Sequence, residues 1–542
     1  MSKIPPDHFG AQNSKNYSVL GQRSDDVIAM LRRNRGLILL CLIATFAWGL
    51  AAHAYIFLHS SFSHDSLNEF NAEIFGNEWR IQLGRVFVPA YRILVRGITT
   101  LPWLIGFISL LYISIAVFLV IKTFEIHSKL LTVLIAGIFT ANITVIATAA
   151  TYIHDLDCNM MALVLAVFAV YLWEKYDKGF LYGIIPVCLS MGLYQSFVSV
   201  TITLILLYLI MHLLNGERFW ATIKKGVKSI GMILGGGVLY FLAMKLVCFV
   251  TGISLLSGNY NSVDTILSMQ LPEILRTTVY GYFYTCYKIL TVTSVYSKPV
   301  VFGIHIAMIA IAGIIILLRL FQKEIHVKEK ILTLVLIALL PIGMNAVYTL
   351  TGGMSHDLMY FAIWLVYLFV LLVAWWTVNH FDTMKPIVKV GQRVVLTVLV
   401  FIILWGNVQT ANAAYLKKDL EQDANFSLFT RIIYQMENCD GYVTGETPVV
   451  FVGKPDSLLD EIPGFEHIYE IIGCGTGYVL GAAGRRWYQA YFDYILLNPA
   501  IMADSETWSQ MQTRDEVIAM PCYPEEGGVE IIDGVIVVKL GD

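Results

Sequence analysis

Again and again this chain runs for about 18–23 residues on apolar side chains, the length a helix needs to cross about 30 Å of hydrocarbon. We read eleven such spans, at roughly 36–58, 101–121, 130–151, 158–174, 179–195, 196–214, 229–250, 299–320, 330–350, 358–378 and 393–411. The runs are continuous rather than alternating, so they describe helices and exclude a barrel. With 57% hydrophobic and 14% charged residues, the expected fold is an all-α polytopic membrane bundle. A net charge of −3 gives no reason to expect a nucleic-acid partner. The eight cysteines show no Cys-x-x-Cys spacing, and a disulfide among the three near the C-terminus cannot be assigned from sequence.

Lysine and arginine set the expected orientation. With the N-terminus inside, inner segments carry Arg32, Arg33 and Arg35, then Lys122 and Lys129, Lys175 and Lys178, and further basic groups to Lys385, Lys389 and Arg393. The short links at 152–157, near 195 and at 351–357 carry none and are expected outside. The polar tail of residues 1–35 is expected in the cytoplasm, with no cleaved signal peptide. Residues 36–411 form the expected membrane domain, and an odd span count puts 412–542 on the outer face. There "TPVVFVGKP" reads as a strand, "GRRWYQAYFDYILLN" as a helix, and "VEIIDGVIVVKL" as two strands about an Asp-Gly turn, a small α/β domain. "GCGTGYVLGAAG" lacks the lysine of a P-loop and reads as a loop and helix start.

Ionisable groups beside a bilayer are costly and mark pathways or sites. Three His-Asp pairs share the expected outer side: His64-Asp65 with Glu69, His154-Asp155 with Asp157, and His356-Asp357. Tyr194 and Gln195 face the same way, either lining a pocket or hydrogen-bonding between helices. No pair has the spacing of a two-histidine metal site, so no metal centre is expected, although a divalent cation stays open. "NEWRIQLGRVFVPAYRILVRGITTLP" places Arg80, Arg85, Arg92 and Arg96 outside, against the charge rule, on an interfacial helix that Pro89 kinks or breaks. Lys245 and Arg276 add positive charge nearby. Snorkelling explains each alone; together they suit a lipid-linked phosphate. A carboxylate to take a hydroxyl proton and cations to hold a departing phosphate would suffice for sugar transfer from a polyprenyl-phosphate donor.

"NEWRIQLGRVFVPAYR", "YIHDLDCNMMALVLAVFAVYLWEK" and "CLSMGLYQSFVSVTITLILLYLI" resemble blocks of the bacterial Gtr II glucosyltransferases of O-antigen serotype conversion, over roughly residues 60–415. The resemblance implies a GT-C-like bundle in the bacterial cytoplasmic membrane. It also implies a polyprenyl-phosphate-glucose donor, a cell-surface glycan acceptor, and a functional link to a polyprenyl-phosphate glucosyltransferase and a flippase. Carried over, the base is Asp65 with Glu69 in reserve, and Asp155 with His154 partners it or binds the acceptor. Arg80 and Arg85, then Lys245 and Arg276, would hold phosphate; Asp157, Tyr194, Gln195, His356 and Asp357 complete the substrate-binding set. The rival reading, a transporter or flippase of a lipid-linked sugar, wants mid-membrane charges and inverted repeats that the sequence does not display.

Overall fold

The computed structural model describes residues 9–59, 61–71, 76–256, 269–380, 385–453, 462–471 and 482–541. The chain is mostly helical. α1 (Phe9–Leu58) is followed by three short helices, α2 (His64–Asn68), α3 (Gly76–Gln82) and α4 (Val88–Val95). Then come α5 (Pro102–Thr123), α6 (Lys129–Thr140), α7 (Ile143–Thr151), α8 (Ile153–Lys175), α9 (Gly179–Tyr182) and α10 (Ile184–Leu193). α11 (Val198–Leu214), α12 (Phe219–Thr251), α13 (Leu271–Leu290), α14 (Lys298–Leu320), α15 (Val327–Met344) and α16 (Ala346–Leu350) lead to α17 (Leu365–His380) and the long α18 (Pro386–Glu437).

Among the described residues, seven helices are long and apolar enough to cross a membrane: Arg32–Leu58 of α1, α5, α8, α11 with its leading turn, α12, α14 and α18. The pair α6 and α7, bent by 41°, makes an eighth if it crosses as one. The chain is a membrane protein, but length and composition support fewer than the eleven expected spans. The others fall on interrupted helices. The run at 179–195 is divided between α9 and α10 at Gly183, α15 contains Pro341 and stops at Asn345, and the run at 358–378 opens in 3₁₀ turns before α17. The bend after α6 is stabilised locally. Asn142 caps α7 by accepting from the Val145 amide at 3.1 Å, and Asn407 of α18 donates to the buried Ala141 carbonyl at 3.0 Å. A buried helix break would otherwise leave these backbone groups without partners.

Beyond the membrane core, α18 continues without a break to Glu437, and buries Phe429, Ile432 and Met436 in a second hydrophobic cluster. That cluster contains a four-stranded sheet ordered β2-β1-β4-β3, from β1 (Pro448–Val452), β2 (Ile501–Met502), β3 (Val529–Ile532) and β4 (Val535–Lys539). β1 pairs in parallel with β2 and β4, and β3 and β4 form an antiparallel hairpin. Asp533 and Gly534 both have positive φ, the conformation of the expected Asp-Gly turn. α19 (Ala482–Tyr491), α20 (Ser505–Thr513) and α21 (Asp515–Ala519) pack around the sheet. Most of the glycine-rich run at 473–484, and residues 257–268 of the second long segment, lie outside the described residues.

Candidate functional site

The site forms where α8 begins. His154, Asp155 and Asp157 do not lie in a link, as expected, but in the first turns of α8, and all three are buried. A helix N-terminus favours a carboxylate, and Asp155 occupies that first turn. Tyr152 ends α7 and precedes α8, its amide bonded to the Thr148 carbonyl at 2.8 Å and its carbonyl accepting from the Asp155 amide at 2.9 Å.

The four arginines that break the charge rule are what make this burial affordable. The expected interfacial helix is two short ones, α3 and α4, with Pro89 in the first turn of α4. Arg80 pairs through Nε with Asp155 at 3.0 Å and through Nη2 with Glu69. Arg92 Nη2 bridges the same carboxylates, at 2.8 Å from Glu69 and 2.9 Å from Asp155. Arg85 reaches Asp155 at 3.1 Å. Behind them Arg96 pairs with Asp157 at 2.9 Å and donates to the His154 carbonyl at 2.6 Å, while Tyr91 donates to Asp157 at 3.2 Å. Arg80 Nη2 lies 2.7 Å from His154 Nε2; a guanidinium only donates, so Nε2 accepts and the ring proton sits on Nδ1. Burial alone would raise the Glu69 carboxyl, but Arg80 and Arg92 outweigh it and hold it below the usual carboxylate range. Its stabilising contribution is therefore complete above the unfolded-state value and is lost only as pH falls through the lowered one.

Glu69, His154 and Asp155 bring ligand atoms within 4.8 Å of one another, close enough for a metal ion. Yet the carboxylate oxygens already face Arg80, Arg85 and Arg92. That donor set suits an ion-pair network, and three guanidiniums against two carboxylates leave a surplus of one positive charge.

In front of the network opens a cavity of about 720 Å³, within the range of about 300–1,000 Å³ that small ligands occupy. Its lining includes the charged residues Asp65, Glu69, Arg80, Arg85 and Asp155, then Tyr194 and His356, and the apolar Trp79, Leu83, Leu256, Leu358 and Met359. Asp65 is half-buried on α2. That helix is held by a capping box between Ser63 and Ser66 and by the Ser63 hydroxyl donating to the Thr151 carbonyl. The Arg85 guanidinium lies 4.4 Å from the centre of the Tyr194 ring.

Not every expected residue reaches this cavity. Gln195 braces the turn after α3, donating to the Leu83 carbonyl at 2.9 Å and to Tyr240 Oη at 3.0 Å. Asp357 pairs with Lys288 at 3.0 Å and is not among the described lining residues; nor is Asp157. Lys245 and Arg276 are exposed, 5.5 Å and 5.6 Å from the rings of Phe241 and Tyr280 on their own helices, and are not among the described lining residues. Arg92, Arg485 and Arg486 were not among the expected site residues; the last two line the cavity from α19. Gly84 turns the chain between α3 and α4 at φ +75°, and a Cβ there would meet Tyr240 Oη at 2.7 Å. Gly84→Ala is expected to cost about 1–3 kcal/mol, read as a lower unfolding temperature in detergent.

In a helical membrane protein, carboxylates and arginines gathered around a cavity mark a functional site. The family model described as Glucosyl transferase GtrII matches residues 54–373, more than half of the chain, and the protein belongs to that family. It is thus a glycosyltransferase. The match includes α2 to α4, the start of α8 and Tyr194, and stops before α18 and the sheet. Neither a curated relative nor a solved structure matches the chain.

Proposed function

We propose that the protein transfers glucose from a polyprenyl-phosphate donor to a cell-surface polysaccharide, on the outer face of the bacterial cytoplasmic membrane. The observation that carries this reading is the cavity that Asp65 lines together with Arg80 and Arg85, whose ion-pair network of three guanidiniums and two carboxylates has one positive charge in surplus. A sugar on polyprenyl phosphate is a phosphodiester with one negative charge, matching that surplus. Arg80 and Arg85 receive the phosphate, while Trp79, Leu83 and Leu256 take the first prenyl units. Asp65 accepts the proton of the acceptor hydroxyl as its oxygen attacks C1. Because the leaving phosphate is already a stable anion, no general acid is required. Tyr194 and His356 contact the sugar or the acceptor. The basic loops at the opposite end of the bundle support an N-terminus inside and residues 412–542 outside.

Two measurements test this. Purified protein in proteoliposomes is expected to consume polyprenyl-phosphate-glucose and to ignore a nucleotide-linked glucose; use of the nucleotide sugar alone would remove the donor assignment. Leu497 is 81% exposed in the C-terminal region. In a cysteine-free background, Leu497→Cys is expected to react with a membrane-impermeant maleimide on intact spheroplasts, and labelling only after lysis would reverse the orientation.

A further inference from the structure

The C-terminal region brings two more cations to the cavity. Arg485 and Arg486 of α19 line it together with Ser505, the first residue of α20. Their placement is built rather than incidental. Leu67 of α2 is buried in the C-terminal cluster with Trp487 and Tyr491, and Phe70 stacks on Tyr494 at 4.4 Å, so the helix carrying Asp65 rests on the helix carrying the arginines. Arg485 Nε donates to the Ala503 carbonyl, tying α19 to the start of α20.

Charge balance assigns them a task, given the donor read above. The three guanidiniums and two carboxylates of the inner network neutralise a singly charged phosphodiester. When the C1–O bond breaks, its electron pair stays on the phosphate oxygen, a new bond forms from the acceptor oxygen to C1, and the hydroxyl proton passes to Asp65. One negative charge has then moved from Asp65 to the phosphate, now a monoester with a charge of about −1.5 to −2. Glu69 and Asp155 stay paired within the inner network, so charge added on the phosphate itself is bound by further cations that face the cavity. Among the described lining residues, the remaining guanidiniums are Arg485 and Arg486. We propose that they form a second wall of the phosphate site, which binds the dianionic leaving group more strongly than the donor, so that the C-terminal region is part of the catalytic centre.

The test compares binding of polyprenyl monophosphate and polyprenyl-phosphate-glucose to the full-length protein in nanodiscs. Arg486→Gln, which keeps the Ala503 contact, and the double variant with Arg485→Gln are expected to bind the monophosphate about tenfold or more weakly while changing donor affinity less than about threefold, since hydrogen bonds to charged groups are individually strong. Turnover should fall with little change in KM, and Arg486→Lys should recover much of it. At about pH 5, where the monoester carries nearly one charge, the discrimination should shrink. Equal weakening of both lipids, or none, overturns the inference while the donor assignment stands. A wild-type protein that binds neither lipid overturns both.

Discussion

Asp65→Asn is expected to lower sugar transfer by about 10²–10⁴-fold, the range supplied by a positioned general base, with donor affinity and thermal stability close to wild type. The two first-loop carboxylates differ in how they are placed. Glu69 is buried, with its two oxygens on Arg80 and Arg92. To take a proton it would have to give up those ion pairs. Asp65 is half-buried and lines the cavity on a helix fixed by Ser63, Ser66 and Leu67. Asparagine keeps its shape and removes its charge and basicity, so the expected signature is a loss in kcat without a loss of fold. Glu69→Gln should do the opposite first, loosening the network before it touches chemistry. Steady-state transfer assays beside unfolding curves separate the two. Wild-type turnover in Asp65→Asn would end the base assignment.

Asp155→Asn is expected to destabilise the protein by about 3–5 kcal/mol, because removing one partner of a buried pair strands the other. Here several are affected: Arg80, Arg85 and Arg92 all converge on this one carboxylate, and Glu69 remains for Arg80 and Arg92 alone. Transfer should fall as well, because Arg80 and Arg85 then lose the group that aims them into the cavity. Combining Asp155→Asn with Arg92→Met should recover part of the stability, since the second change removes a buried charge left without compensation. Chemical unfolding in mild detergent reads both effects. A single variant within about 1 kcal/mol of wild type would mean that water enters the network and screens it.

The sequence made the long spans plain, because twenty consecutive apolar residues admit few readings. It misjudged where α8 starts for an instructive reason. Residues 152–157 look like a loop only if their charges face water; once Asp155 and Asp157 are paired, the helix runs back to Ile153. The partners lie 61–75 residues away in Arg80, Arg92 and Arg96, and no local pattern links such positions. For the same reason the arginines of α3 and α4 read equally well as snorkelling to headgroups. Lys245 and Arg276 are the converse case. Phe241 and Tyr280 stand four residues from them, one helical turn, so a local ring contact was already written in the spacing. Arg485 and Arg486 left no signal: they border a glycine-rich stretch, and only the docking of α2 on α19 brings them to the cavity.

The unbroken α18 has a mechanical consequence. Its 52 residues make a rod about 78 Å long at 1.5 Å per residue, sunk in the membrane core at Leu396 and Val400 and clasped by the sheet region at Phe429 and Ile432. Adding one residue between those grips would turn one end against the other by about 100°. The rod therefore works as a ruler that sets both the height and the heading of the sheet region above the bilayer. On the reading proposed above, its length also sets where Arg485 and Arg486 meet the cavity.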